Sequence, residues 1–320
     1  YLVGQPHKGL QAMFVMMNSA RLGVGVQGLG LSERAYQNAL RYARERLQSR
    51  SLAGPQRPDK PADPIIVHPD VRRMLLAQKA LVEGGRLLSL HAYAQLDIAE
   101  RAQDPAERER AETLLGFLTP ISKACQTEWS IENTYNAMQC FGGHGYIAEH
   151  GIEQLARDAR ITTLYEGTTG IQSLDLIGRK TAATGGAGLK LFLAEVETFA
   201  AANENNPAVA EFIAPLRAKC AEWAQLTQSV LQRAAGNPEE LGAASTDYLF
   251  YSGYVVLAYW WARSVAAADA SKRTAAFKDA KRDTARFYFA RMLPRTLAHK
   301  AAIDSGAATL MALDEAGFGG

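Results

Sequence analysis

The residue types best suited to chemistry concentrate between Gln139 and Gln172, in QCFGGHGYIAEHGIEQLARDARITTLYEGTTGIQ. Gly142, Gly143 and Gly145 form a Gly-rich turn, and a single acid, Glu166, stands just ahead of Thr168, which suits the cap of a helix over 169–180. Glycines let backbone N–H groups come close to a ligand, most often to phosphate oxygens, because no Cβ intervenes and positive φ costs little. The Glu166 carboxylate at a helix N-terminus has two readings at this level: it stabilises the helix dipole, or it is a base.

The elements that must position these groups are helical. Apolar positions recur three and four apart from residue 9 to about residue 49, through Leu10, Met13, Phe14, Met17, Leu22, Val26, Leu29, Tyr36, Leu40 and Ala43. The first half of this helix is apolar nearly all round, which predicts deep burial. Arg21 therefore needs a partner, either an internal carboxylate or a charge on a ligand. Arg41, Arg44, Arg46 and Arg50 crowd the end of the helix, where cations favour the C-terminal dipole. Pro55, Pro58, Pro61 and Pro64 predict an extended, solvated loop. A second helix is expected from an Asp70 cap to about Gln103, and a third from about Ala106 to the Gly-rich turn, kinked by Pro120. With the helix after Glu166 these make an antiparallel four-helix bundle.

TAATGGAG, at 181–188, marks a boundary and predicts domains over 1–183 and 184–320. Helices follow over 189–203, 208–235, 239–269, 271–291 and 293–312. The fold class is all-α, a bundle followed by a second helical domain. The aromatic run of Tyr248, Phe250, Tyr251, Tyr254, Tyr259, Trp260 and Trp261 reads as core, and the Lys and Arg residues of 272–300 as a solvated face.

Composition narrows the function classes. The 320 residues are 48% hydrophobic and 21% charged with net charge +2, so nothing in the global balance points to nucleic acid. Cys125, Cys140 and Cys220 form no C-x-x-C, which favours a reducing, cytoplasmic setting over a disulfide or zinc framework. His144 and His150 lack a third ligand at metal spacing, so no metal is expected. The apolar run from Leu10 to Leu31 holds Gln11, Asn18, Arg21 and Gln27 and reads as a core helix, with no integral membrane segment. YLVGQPHKGL reads as a cut inside a longer protein.

In order and spacing the 139–172 segment resembles the active-site segment of the acyl-CoA dehydrogenases. The second helical unit, with its closing SGAATLMALDEAGF, resembles the extra C-terminal domain of the bacterial subgroup related to the methylmercaptopropionyl-CoA enzyme. The resemblance implies FAD-dependent α,β-dehydrogenation of an acyl-CoA thioester to the trans-2-enoyl-CoA. Glu166, in YEGT, would be the catalytic base for the α-proton, and its backbone N–H would help hold the thioester carbonyl. Asn18, Arg21, Tyr165 and Gly167 would contact substrate. Arg46 and Gln48 would reach the flavin diphosphate of a neighbouring subunit, and Gln139, Gly142, Gly143 and Thr168 would also bind FAD. Ser49 and Arg50 depart from the family's R-x-x-F-G ending, and Gly170 stands where relatives carry Gln or Glu. The resemblance further implies electron-transfer flavoprotein as electron acceptor, a homo-oligomer of two or more copies, and a chain inactive without the family's N-terminal helical and β domains. An acyl-CoA oxidase-like flavoenzyme and a non-catalytic helical interaction module are the alternatives.

Overall fold

The periodic segments fold as helices in a computed structural model that describes residue 2 and residues 4–319, leaving aside the side chains of residues 11, 14, 15 and 18. The first set comprises α1 (Gly9–Glu45), α2 (Pro69–Arg101), α3 (Pro105–Phe141), α4 (Ile152–Thr162) and α5 (Thr169–Leu174), the last continued by a π turn at Asp175–Ala182. α1, α2, α3 and α5 form the four-helix bundle, with α3 packed against the other three. The second set is α6 (Ala187–Ala202), α7 (Ala210–Gly236), α8 (Glu239–Ala270), α9 (Ala275–Phe287) and α10 (Thr296–Ser305). Among the described residues there is no strand, and Leu47 and Pro64 meet as an isolated bridge.

Local chemistry sets the helix ends. The Asp104 carboxylate accepts from the Ala106 N–H at 3.0 Å, and Pro105 takes the first helical position, where a missing N–H costs nothing. α2 starts one step earlier than its acids suggest. Pro69 is its first residue and His68 its cap, so Asp70 sits inside the first turn. Pro120 lies within α3 without dividing it.

Two glycines set how closely helices approach. A Cβ on Gly28 would lie 2.7 Å from the Gln126 carbonyl oxygen, so α1 presses on α3 backbone to backbone. On α8 a Cβ at Gly253 would meet the Cys125 sulfur at 2.4 Å. One apolar core runs without a break from Leu22, Leu81 and Phe117 of the bundle to Trp223, Tyr248 and Trp261 of the second set. The aromatic run is thus core, with Tyr248, Tyr251, Tyr254, Tyr259 and Trp261 all buried.

Three expectations change. The start of α1 is not deeply buried: Leu10, Met13 and Met16 are 65%, 40% and 60% exposed, and among the described residues the first fully covered side chain of α1 is Arg21. The proline loop is solvated over 55–61, as expected, but it is not an extended connection. It folds around the buried Asp63 carboxylate, which accepts from the N–H groups of Ser51 at 3.0 Å, Gln56 at 2.9 Å and Arg57 at 2.7 Å. The basic stretch is only partly solvated. Lys281 reaches Glu83 of α2 at 2.6 Å and Arg295 reaches Glu132 of α3 at 2.7 Å, tying the second helical set to the bundle. Burial alone would raise the Glu83 carboxyl, but hydrogen bonds from Lys281 and Lys79 outweigh it and hold it below the usual range.

Candidate active site

Glu166 occupies the turn between α4 and α5 with φ +56°, and Gly167 follows at +90°. The left-handed region is disfavoured for a side chain as long as glutamate and persists only where the surroundings hold it. The hold is visible. Thr168 caps α5 by accepting from the Ile171 N–H at 3.3 Å, and the Gln172 side-chain amide donates to the Glu166 carbonyl at 3.2 Å. A Cβ on residue 167 would lie 2.5 Å from that amide nitrogen, so only glycine fits there. From α3, the Lys123 ammonium donates to the Gly167 carbonyl at 2.7 Å, and the Thr169 hydroxyl donates to Glu128. The Tyr165 hydroxyl donates to Gln27 of α1.

Against this held backbone, the Glu166 side chain is free. Its Oε2 is buried and makes no hydrogen bond. Among the described residues nothing accepts from the Glu166 N–H either. An acceptor-only oxygen and an amide donor on one residue suit a ligand that offers an acidic hydrogen and a carbonyl.

Arg21 has its charge satisfied internally. Its guanidinium meets Asp175 at 3.1 Å, both side chains being 7% exposed or less, and Arg179 meets the other Asp175 oxygen at 2.7 Å. The Arg21 Nε remains buried without a partner. The side chain of Asn18 lies outside the described residues.

The other candidates gather elsewhere. Arg46, Gln48, Gly142 and Gly143 line one cleft of about 240 Å³, together with Tyr42, Ile65, Cys140, Phe141 and His144. Gly142 ends α3 at φ +61°, its N–H donating to the Gln139 carbonyl, while the Gln139 side chain is exposed outside the cleft lining. Tyr42 stacks on Phe141 at 4.1 Å and hydrogen-bonds His144 at 2.8 Å, so one wall is aromatic. The Asp63 loop aims the other wall: Gln48 N–H donates to the Asp63 carbonyl at 3.0 Å and Ile65 N–H to the Arg46 carbonyl at 2.9 Å. An exposed guanidinium, a carboxamide, an aromatic wall and a glycine turn with open space at Gly143 fit a group that carries both phosphate and a ring. Thr168 stands apart from the cleft, at the start of α5.

Sequence reasoning passed over Lys123, Glu128, Gln172 and Asp63. Lys123 carried a signal, being a lone charge in the apolar run LTPISKACQ that nonetheless faces inward. Burial pulls its ammonium down to about 8, against the opposing carboxylates of Glu128 and Glu166.

A helical bundle with a carboxylate in a strained turn and a glycine-rich cleft is the arrangement of a known family of proteins. The model described as "Acyl-CoA dehydrogenase, C-terminal domain" matches residues 7–181, and that described as "Acetyl-CoA dehydrogenase C-terminal like" matches residues 192–314. The chain belongs to the acyl-CoA dehydrogenase family. It is 40% identical over 317 residues to the 3-methylmercaptopropionyl-CoA dehydrogenase of Ruegeria pomeroyi, covering 98% of this chain and 53% of that protein. The fold is also that of an acyl-CoA dehydrogenase from Bacillus anthracis complexed with FAD, at TM-score 0.73 and 17% identity over 94% of this chain and 51% of that one. It is shared with a tomato acyl-CoA oxidase at TM-score 0.68 and 17% identity, over 94% of this chain and 47% of that one. The chain thus spans about half the length of these relatives. Among the described residues, no helix is long and apolar enough to cross a membrane.

Proposed function

We propose that this chain carries the proton-abstracting base and part of the FAD site of an acyl-CoA dehydrogenase that converts an acyl-CoA thioester to its trans-2-enoyl-CoA. The observation that carries the reading is Glu166: a buried, unpartnered carboxylate oxygen on a strained turn in the YEGT position. Such an oxygen takes up the α-proton without first breaking a hydrogen bond of its own. The Glu166 N–H holds the thioester oxygen as negative charge builds on it, which is where a fixed donor lowers the barrier most. Tyr165, Gly167, Arg21 and Asn18 line the thioester side. FAD, when bound, accepts the hydrogen and electron pair leaving the β-carbon.

The cleft of Arg46, Gln48, Gly142 and Gly143 holds the phosphate and adenosine end of FAD, with Gln139 at its rim and Thr168 contacting the flavin. Residues beyond this chain complete the flavin and acyl pockets. Electron-transfer flavoprotein, a homo-oligomeric state and a cytoplasmic setting belong to the same proposal. Residues 1–183 and 184–320 are its two domains. Likeness to the Ruegeria pomeroyi enzyme makes a short thioether acyl-CoA the first substrate to try.

The test is an anaerobic titration of the complete protein with a panel of acyl-CoA thioesters, read from flavin absorbance. Bleaching by one member, and its loss in Glu166→Gln with flavin retained, is the expected result. Bleaching of Glu166→Gln at the wild-type rate sinks the base assignment. The shared fold leaves oxidase chemistry to be separated by experiment. Reduced flavin that reacts with oxygen within seconds assigns the oxidase reading instead.

A further inference from the structure

Lys123 is a buried charged group beside the Glu166 turn that proton abstraction does not use. It is fully buried in α3, and among the described residues no carboxylate lies within salt-bridge distance of its nitrogen. A buried ammonium with no carboxylate in direct contact is costly, the nearby Glu128 and Glu166 offsetting burial only in part, and its hydrogen bond here goes to a single backbone carbonyl, that of Gly167, at 2.7 Å. Five residues on, Glu128 takes the Thr169 hydroxyl. α3 therefore grips the turn on its C-terminal side at two residues, Gly167 and Thr169, while Gln172 grips the Glu166 carbonyl from α5.

We propose that Lys123 is a positioning residue for the base, holding the Gly167 carbonyl so that Glu166 stays in its left-handed conformation, with Glu128 a second anchor through Thr169. The inference rests on Glu166 being the base. A glutamate at φ +56° relaxes toward the ordinary helical or extended regions once the following peptide is released. That motion carries both the carboxylate and the N–H away from the thioester, and misplacement of about 1 Å is costly to rate. Lys123 forms no bond to substrate in this scheme. Its effect passes through the backbone.

The experiment compares Lys123→Met, Thr169→Val and wild type in the complete, flavin-loaded protein by amide hydrogen exchange and by steady-state kinetics. Methionine keeps the length and suits the buried site, so folding is retained; Thr169→Val removes the second anchor while leaving Lys123 and the half-buried Glu128 in place. Loss of a charged hydrogen bond should speed exchange of the 164–170 segment about ten- to hundredfold in Lys123→Met, and less in Thr169→Val. kcat should fall by a similar factor with KM changed far less. The proposal is overturned if the segment exchanges at the wild-type rate in Lys123→Met, if exchange rises equally along α3 and α8, or if the turn loosens while kcat is unchanged. Failure of the base assignment is separate. It would show as turnover retained in Glu166→Gln, whereas the exchange comparison reads the grip on the turn whatever Glu166 does.

Discussion

Arg21 and Asp175 stand 154 positions apart in the chain and meet at 3.1 Å in the bundle interior. The pair joins α1 to the π turn after α5, so it connects the helix that opens the bundle to the one that closes it. Removing one partner leaves a buried charge without compensation. Asp175→Ala is expected to destabilise the fold by about 3–5 kcal/mol, read as a lower urea midpoint with unchanged slope. Replacing both residues by apolar ones, Arg21→Met with Asp175→Leu, should recover most of that loss.

Glu166 is expected to hold function at the expense of stability. Glu166→Gly removes the left-handed strain and the unpaired buried oxygen together, which should raise stability by about 1–2 kcal/mol while abolishing flavin bleaching. Thermal unfolding and the anaerobic titration, run on the same preparation, check both. A destabilised glycine variant would show that the turn is not strained.

Close helix contact makes Gly28 sensitive. Alanine there drives a methyl toward the Gln126 carbonyl, a backbone atom that cannot swing aside, so Gly28→Ala should cost about 1–3 kcal/mol. Gly30, two residues on, has open space at its Cβ position. Gly30→Ala should instead be neutral or slightly stabilising in the same denaturation experiment, since alanine favours helix.

Asp63 gives a pH signature. Backbone N–H donors, led by Ser51 and joined by Arg57 and Gln56, outweigh its burial and hold its carboxyl at about 2, below the 3.8 of a free aspartate. Because the folded value is the lower one, the stabilisation is fully present above pH 4 and is lost as pH falls through 2. Amide protection at Ser51, Gln56 and Arg57 should fade in that window. Asp63→Ala should remove it at neutral pH and open the 50–63 loop to protease.

Arg46 tests the cleft. Arg46→Gln in the complete protein should lower flavin content, measured as the ratio of flavin to protein absorbance, while leaving the helical circular dichroism unchanged. Exposed on the protein surface, Arg46 makes no ion pair among the described residues, so its replacement should not unfold the chain.

The sequence by itself determined what local rules govern. Periods of three and four gave α1, α2 and α3; Thr168 capped α5, and Gly142 stopped α3 where the glycine turn was expected. Each depends on a residue and its near neighbours, so the chain alone specifies it. The family resemblance singled out Glu166 by the same kind of short, ordered spacing.

Only the tertiary structure decided which face is covered and which charge meets which. Apolar periodicity at Leu10, Met13 and Met16 looks the same whether or not a partner lies over it. Four prolines say that the 46–64 loop is not a helix, but not that Asp63 will gather its amides from three directions. Lys123 and Gly167 are 44 positions apart, and nothing in the intervening residues announces their contact. Contacts at such separations follow from how helices pack, which no local propensity encodes. That packing turns a glutamate before a helix into a residue whose backbone is held in one place, with a carboxylate oxygen left open.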